Sequence, residues 1–337
     1  MSQDRTTLVG NPVVIAPGKI FLVGEYAVLE EGIAVLAAVT RHAVAQFIPG
    51  MDPMSPVVAE AVKRARAELG EASSALPAGS VLVNSDAFYQ GEQKIGFGSS
   101  AATAVACVGA VFESAGIALD ARRSQILTIA DAAHRAAQGG AGSGADIAAA
   151  TYGGLVKVER QKGAGPLVES LVAPPSLHLV VFWTGRSAST KDMIAGVQQY
   201  ARKDPGAYRQ VIDNLRDTAD RFVAELRAGN ATGAVVAAGR YGRRLGVLGA
   251  AASVPIVTDA FRRAADVAAE LGGIAKPSGA GGGDIGVGMF ATPESARLFA
   301  RALPKPMLPL DVDLDRSGVR RRLPDDEEAE NAGLFHA

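Results

Sequence analysis

The chain has 337 residues, enough for one large core or two smaller ones. Its 48% hydrophobic and 20% charged residues suit a globular protein, and a formal charge of −1 supplies no global field for nucleic acid or an anionic membrane. Cys107 is the only cysteine, which excludes an intramolecular disulfide and argues against a Cys-based zinc site; four His and one Trp equally undersupply a His-rich metal site or a base-stacking surface.

In chain order, Val13–Ala16, Ile20–Val23 and Ile33–Ile48 are rich in β-branched and apolar residues and predict strands, the first two separated by Pro17-Gly18. Apolar residues at helical spacing run from Val57 to Leu69 and stop at Gly70; Ser80–Phe88 alternates as a strand. Helices are expected over Ser99–Ala115, with Cys107 as a small core residue, over Ala121–Gln138, and briefly from about Gly144. Strands return at Gly153–Val158 and Leu177–Trp183. The second half predicts helices near Ser189–Arg202, Tyr208–Ala228, Thr232–Gly249, Val257–Leu271 and Glu294–Leu303, with strands at Gly273–Lys276, Gly286–Phe290 and Met307–Leu314.

Runs of strands and helices without regular alternation indicate an α+β protein. Pro174-Pro175 marks a seam between expected domains 1–173 and 174–323, and the charge-blocked stretch 324–337 reads as a frayed tail. The N-terminus lacks a basic segment followed by an apolar one, and no stretch reaches about 18 consecutive apolar residues, so a cytoplasmic address without a membrane partner is expected.

Of the 39 glycines, 17 fall in four short segments. In PGKIFLVGEYAVL, Pro17 to Leu29, a Pro-Gly turn puts Lys19 at the mouth of a strand, with a second turn at Gly24-Glu25. Read alone, Lys19 is as readily an ordinary strand-end lysine as a cation that meets a phosphate. In KIGFGSSAATAVACVGA, Gly96 and Gly98 precede Ser99-Ser100 and a helical run, the layout of an anion site at a helix N-terminus. The serines suit helix capping, and either hydroxyl can ligate a metal. The segment is neither a Walker loop, since no Lys stands before the serines, nor a dinucleotide fingerprint, since Ala101 occupies the third glycine position. Gly142-Ser143-Gly144 leads into Asp146, which is either a helix cap or a carboxylate delivered into a cleft. In KPSGAGGGDIGVGMF, five of the nine residues Gly279–Val287 are glycine, more than a turn requires; such a loop can lay amides against a phosphate or a polar substrate.

Together PGKIFLVGEYAVL, GFGSSAATA and KPSGAGGGDIG resemble, in order and separation, the three signature motifs of the GHMP kinase superfamily, and the resemblance covers about Val13 to Val319. It implies an α+β two-domain GHMP kinase fold: a ribosomal protein S5 domain 2-like N-terminal domain and an α/β-sandwich C-terminal domain, with ATP and substrate in the cleft between them. GEYAVL is similar to the form in mevalonate and phosphomevalonate kinases. FWTGRSASTKDMI, Phe182 to Ile194, and GSGADIAAATYGG resemble elements of the phosphomevalonate kinases, which implies transfer from ATP to 5-phosphomevalonate to give 5-diphosphomevalonate.

Carried over residue by residue, the resemblance implies a triphosphate on Gly96, Gly98, Ser99, Ser100 and Ala101, and Mg²⁺ with Ser100 as a ligand. It makes Lys19 and Asp146 the catalytic pair. A phosphate monoester with a second pKa of about 6 is already mostly dianionic, so Asp146 is expected to orient Lys19 or the metal and not to act as a strong base. The implied substrate set is Lys19, Glu25, Tyr26, Ser143, Ser189, Thr190, Lys191, Gly279, Ala280 and Gly281. Arg186, His134 and Arg135 are secondary, equally readable as solvated or helix-face residues. One departure stands out: mevalonate kinases carry a metal-binding glutamate eleven residues before the aspartate, where this chain has Arg135, so a second protein ligand is undefined. A monomer or homodimer acting on small molecules, with no nucleic acid partner, is the expectation; mevalonate kinase, another kinase of the superfamily and a non-catalytic sensor are the alternatives.

Overall fold

Two long strands organise the first half of the computed structural model, which describes residues 11–140, 142–160, 165–323 and Asp326. β1 (Val13–Val23) is buried almost throughout and runs antiparallel to β2 (Ile33–Pro49). Pro17-Gly18 does not divide β1 as the sequence suggests. The register jumps there, from Pro17 opposite His42 to Gly18 opposite Val39, and this bulge accommodates a residue without an N–H inside the ladder. Lys19 therefore stands mid-strand opposite Ala38, not at a strand mouth.

β2 is long enough to carry three partners: β1 along its length, β3 (Gly79–Asn84) on its second half and β6 (Leu155–Arg160) on its first. β7 (Pro166–Leu171), an edge strand the sequence pattern does not announce, completes that side by pairing with β6. A small hairpin of β4 (Tyr89–Gln90) and β5 (Gln93–Lys94) leads into Gly96.

Four helices pack with this sheet: α1 (Pro56–Leu69), α2 (Ser99–Ser114), α3 (Arg123–Ala137) and α4 (Ala145–Tyr152), of which α2 and α4 touch β1 and β2 directly. α2 is buried from Ala101 through Phe112, as a helix apolar on every side must be. Its small residues permit a close approach to the sheet: a Cβ on Gly109 would lie 2.9 Å from Val14 Cγ1. Cys107 is fully buried there, and burial pushes its thiol well above the ordinary range.

The second sheet is antiparallel in the order β11 (Leu308–Pro309), β8 (His178–Trp183), β10 (Ile285–Phe290), β9 (Ile274–Pro277). α7 (Ala231–Ala252), α8 (Asp259–Glu270) and α9 (Pro293–Ala302) pack on it, while α5 (Thr190–Lys203) and α6 (Pro205–Arg227) pack on α7, and α6 also reaches β2 of the first sheet. Phe182, Phe261, Phe290 and Phe299 form its own aromatic core; rings of this kind each stabilise by roughly 1.5–3 kcal/mol on burial.

The seam at Pro174 separates β7 from β8, which belong to different sheets. The chain's end, however, does not stay with the second sheet. Only Leu308–Pro309 of the strand expected over Met307–Leu314 joins it; Leu314 bridges to Val39, and β12 (Arg320–Arg321) pairs with β1. Asp315 fastens this return by accepting hydrogen bonds from the backbone N–H groups of Ser317 and Gly318 and from the side chains of His42 and Arg320. The tail expected over 324–337 lies outside the described residues apart from Asp326.

Candidate active site

The bulge in β1 turns Lys19 toward the start of α2. Its Nζ lies 3.5 Å from Gly96 O and 3.8 Å from Asp146 Oδ2, and 5.0 Å from the centroid of the Phe21 ring; the side chain is buried. The backbone reinforces this approach, because Lys19 N–H donates to Phe97 O at 2.9 Å. Asp146 reaches the same point from the first turn of α4 and remains 32% exposed, so the pair forms at the edge of a cleft and not inside the core.

Glycine at 98 is what lets these groups meet. Its φ of 82° is left-handed, and a Cβ there would stand 3.0 Å from Lys19 Cε and 3.4 Å from Asp146 Oδ2. Gly98 is also the N-cap of α2 and supplies no side-chain cap, so Ser99 and Ser100 occupy the first two helical positions instead of the cap itself. The N-terminus of a buried 16-residue helix thus faces the Lys19–Asp146 pair with free backbone N–H groups and the positive end of its dipole.

The two serines differ. Ser99 is buried, whereas Ser100 turns its Oγ to within 2.6 Å of His134 Nε2 and 3.2 Å of Gln138 Nε2, and the two nitrogens of His134 and Gln138 are 2.9 Å apart. Burial holds the His134 imidazole below its ordinary value and Lys94 acts in the same direction, against the opposing pull of Asp146 and Asp131. One turn earlier on α3, Asp131 pairs with Arg135 at 2.6 Å and supports Gly144, whose Cβ would lie 2.9 Å from Asp131 Oδ1. Arg135, at the position of the mevalonate kinase glutamate, is thereby engaged with a carboxylate. Ser143 Oγ accepts from Ala145 N–H at 3.3 Å, shaping the turn that presents Asp146.

Two groups that the sequence reading passes over join this cleft. Lys94, at the end of β5, is exposed; desolvation lowers its pKa and Lys19's charge adds to the effect, while Asp284 and Asp146 oppose it. Asp284, the only acid in the third glycine cluster, has a left-handed φ of 56° and packs under Gly96, where a Cβ would lie 2.7 Å from its own Cβ. Its Oδ1 accepts from Ala188 N–H at 3.2 Å, and burial raises its pKa despite that bond, Lys19 and Lys94. Lys94, two residues before Gly96, and Asp284, directly after three glycines, were the available signals.

The remaining predicted residues divide into two groups. Glu25 is buried, ion-paired to Lys276 Nζ at 2.5 Å, and its backbone oxygen accepts from Tyr241 OH at 2.6 Å. Tyr26 is buried and donates its hydroxyl to Ala280 O at 2.6 Å. These contacts, with Phe21 N–H donating to Ser278 Oγ at 2.8 Å, join the first glycine cluster to the third across the two sheets. Gly281 is packed against Ile256, and Gly282 against Met193 and Ala188, so close packing accounts for much of that loop's glycine content; Gly279 has nothing within 4 Å of its Cβ position. Ser189 caps α5 by accepting from Asp192 N–H, leaving Thr190 and Lys191 exposed on its first turn. That junction is tied to the cleft through Ala188 and through Ser187, whose hydroxyl donates to Lys94 O at 3.1 Å. Arg186 is exposed.

Comparison with known proteins agrees with the motifs. Residues 57–154 match the GHMP kinases N terminal domain. The chain is 28% identical to a phosphomevalonate kinase of Streptomyces sp. (strain CL190), over 92% of this chain and 99% of that one. It is 30% identical to a mevalonate kinase of Thermococcus sibiricus, over 67% of this chain and 65% of that one. Among solved structures, Streptococcus pneumoniae phosphomevalonate kinase in complex with phosphomevalonate and AMPPNP superimposes with a TM-score of 0.75 at 19% identity, covering 90% of this chain and 99% of that one.

Proposed function

We propose that this chain, which carries the GHMP kinases' N-terminal domain and has the two-domain α+β fold of that superfamily, transfers the γ-phosphoryl group of ATP to 5-phosphomevalonate, giving ADP and 5-diphosphomevalonate. The observation that carries this reading is the convergence of Lys19 and Asp146 on the N-terminus of α2, with Lys94 beside them. Likeness to a phosphomevalonate kinase along almost the whole chain supports the choice of acceptor.

Phosphoryl transfer asks a protein mainly for positioning and charge compensation. The backbone of Gly96–Ala101 and the helix N-terminus suit a triphosphate, and Gly98 leaves room for Lys19 and Asp146 beside it. An oxygen of the acceptor's phosphate attacks the γ-phosphorus, and the bond to the β–γ bridging oxygen breaks with ADP leaving. Lys19 offsets repulsion between the two phosphates, and Asp146 holds the Lys19 ammonium where the transferring oxygens gather. Lys94, with Thr190 and Lys191 at the exposed start of α5, supplies cations and donors for the acceptor.

Among the described residues no cluster of three or more His, Cys, Asp or Glu is placed to hold a metal. That suits Mg²⁺, which usually takes one or two protein oxygens and leaves its other positions to phosphates and water. Ser100 would be its hydroxyl ligand, and the ion would supply charge neutralisation on the nucleotide's phosphates. A coupled ADP-release assay with mevalonate, 5-phosphomevalonate and 5-diphosphomevalonate tests the reading. Turnover on 5-phosphomevalonate alone supports it; turnover on mevalonate alone assigns the chain to the other relative's activity, and nucleotide binding without turnover makes it a sensor.

A further inference from the structure

We infer that Asp284 is a positioning residue: its carboxylate holds the start of α5 against the phosphate loop, Gly96–Ala101, and so sets affinity for the phosphoryl acceptor and not for ATP. The inference rests on the kinase reading above in taking that loop to meet ATP and Thr190 and Lys191 to meet the acceptor. Asp284 has a φ of 56°, a left-handed conformation that glycine adopts freely and an L-residue only at a cost, and Gly281, Gly282 and Gly283 stand directly before it. A fourth glycine would carry no such strain, so the aspartate is there for its side chain. Its Oδ1 accepts from the Ala188 N–H at 3.2 Å, one residue before the Ser189 cap of α5. The direction of that bond is fixed, because a backbone N–H only donates and a carboxylate only accepts when ionised. The same side chain lies under the phosphate loop, where a Cβ on Gly96 would stand 2.7 Å from Asp284 Cβ and 3.3 Å from its Oδ2.

The two segments that meet on Asp284 are not equally held. The phosphate loop has anchors of its own: Ile95 N–H donates to Phe88 O at 3.1 Å, Lys19 N–H donates to Phe97 O at 2.9 Å, and α2 follows directly. In the segment before α5, the backbone of Asp284 secures Thr184 and Arg186, through Thr184 N–H to Asp284 O at 2.9 Å and Asp284 N–H to Arg186 O at 2.7 Å. Ser187 reaches Lys94 O with its hydroxyl. Ala188, last before the cap, is held through the Asp284 carboxylate. Gly282 and Gly283 leave room for it, since a Cβ on either would stand 3.3 Å from Ala188 Cβ. Removing the carboxylate therefore releases the start of α5, with Thr190 and Lys191 on its first turn, and leaves the phosphate loop on its other supports.

The test is steady-state kinetics on the full chain with ATP, MgCl₂ and 5-phosphomevalonate, with thermal melting of each variant. In Asp284→Gly relief of backbone strain offsets the lost hydrogen bond, so the melting temperature stays within a few degrees of wild type. The KM for 5-phosphomevalonate is expected to rise roughly tenfold, the size of one hydrogen bond to a charged group, while the KM for ATP stays within about twofold. Asp284→Ala, which keeps the loop stiffer but has no acceptor, should show the same split; if it does not fold, Asp284→Gly carries the test. Asp284→Asn, whose amide oxygen can accept from Ala188 and whose backbone tolerates the left-handed region, should restore the acceptor KM to within about threefold of wild type. An unchanged acceptor KM in folded Asp284→Gly, an equal rise in both KM values, or an Asp284→Asn variant as impaired as Asp284→Gly would each overturn the inference. A wild type that turns over no 5-phosphomevalonate would overturn the kinase reading, and this inference with it.

Discussion

Replacing Gly98 by alanine separates what the glycine does for the backbone from what it does for the site. At φ 82° an alanine carries a left-handed strain of about 1–2 kcal/mol, which lowers stability wherever it occurs. At this position the new methyl also stands 3.0 Å from Lys19 Cε and 3.4 Å from Asp146 Oδ2, closer than the first atom tolerates without moving. Lys19 is buried and has little room to retreat, so its ammonium shifts away from Gly96 O and Asp146. A displacement of this kind, a few tenths of an ångström, is expected to lower kcat by roughly 3- to 10-fold. Gly229→Ala is the control: its φ of 68° carries the same backbone strain, but nothing lies within 4 Å of the added Cβ. Thermal melts and steady-state kinetics on both variants should give similar stability losses and a kcat loss in Gly98→Ala alone. If Gly98→Ala keeps kcat within about twofold of wild type, or if both variants lose activity alike, the steric account of the Lys19–Asp146 pair is wrong.

Asp146→Asn should retain the wild-type melting temperature within a few degrees and lose kcat by two orders of magnitude or more, roughly the loss seen when one preorganised electrostatic group is removed; near-wild-type turnover would exclude Asp146 from orienting Lys19. Lys276→Met strands the Glu25 carboxylate in the core, where one oxygen already has no hydrogen-bond partner, and should cost roughly 3–5 kcal/mol in a urea titration; the Glu25→Gln/Lys276→Met double variant should recover part of that loss. Burial alone would push the Asp315 carboxyl up, but hydrogen bonds from His42 and Arg320, the Arg320 charge and the Gly318 N–H outweigh it and hold the group at about 2. A folded-state value below the unfolded one stabilises above about pH 4, and the contribution, about 2 kcal/mol, is lost as pH falls from 4 toward 2. Urea titrations across that interval should show the loss in wild type and a flatter profile in Asp315→Asn; identical slopes would contradict the role of the C-terminal return.

Much of the architecture was readable because long amphipathic or apolar runs dominate it. α2, α6 and α7 fall within a few residues of their expected bounds, since helical periodicity over 16 or more residues leaves few alternatives. What was not readable depends on partners distant in sequence. β12 is two arginines with no strand propensity of their own and exists because β1 offers an unpaired edge; β7 is short and interrupted by polar residues. The Pro-Gly pair in β1 reads as a turn in the sequence, because a bulge needs the facing strand to define it. The glycine clusters pointed correctly to the segments that meet, but not to the reasons for each glycine. Gly98 serves the Lys19–Asp146 approach, whereas Gly281 and Gly282 serve packing against Ile256 and Met193. Asp284 and Lys94 carry no legible chemistry in the sequence, because each acquires it only when the fold brings both to Lys19.

The central claim is that the chain joins one phosphate to another, and phosphorus NMR of the products tests it most directly. Incubation of the full chain with ATP, MgCl₂ and 5-phosphomevalonate should replace the monoester singlet by a pair of coupled diphosphate doublets, with ADP formed in equal amount, while mevalonate in place of 5-phosphomevalonate yields no new monoester. A new monoester singlet from mevalonate with the 5-phosphomevalonate resonance unchanged would contradict the account, as would ADP formation accompanied only by inorganic phosphate.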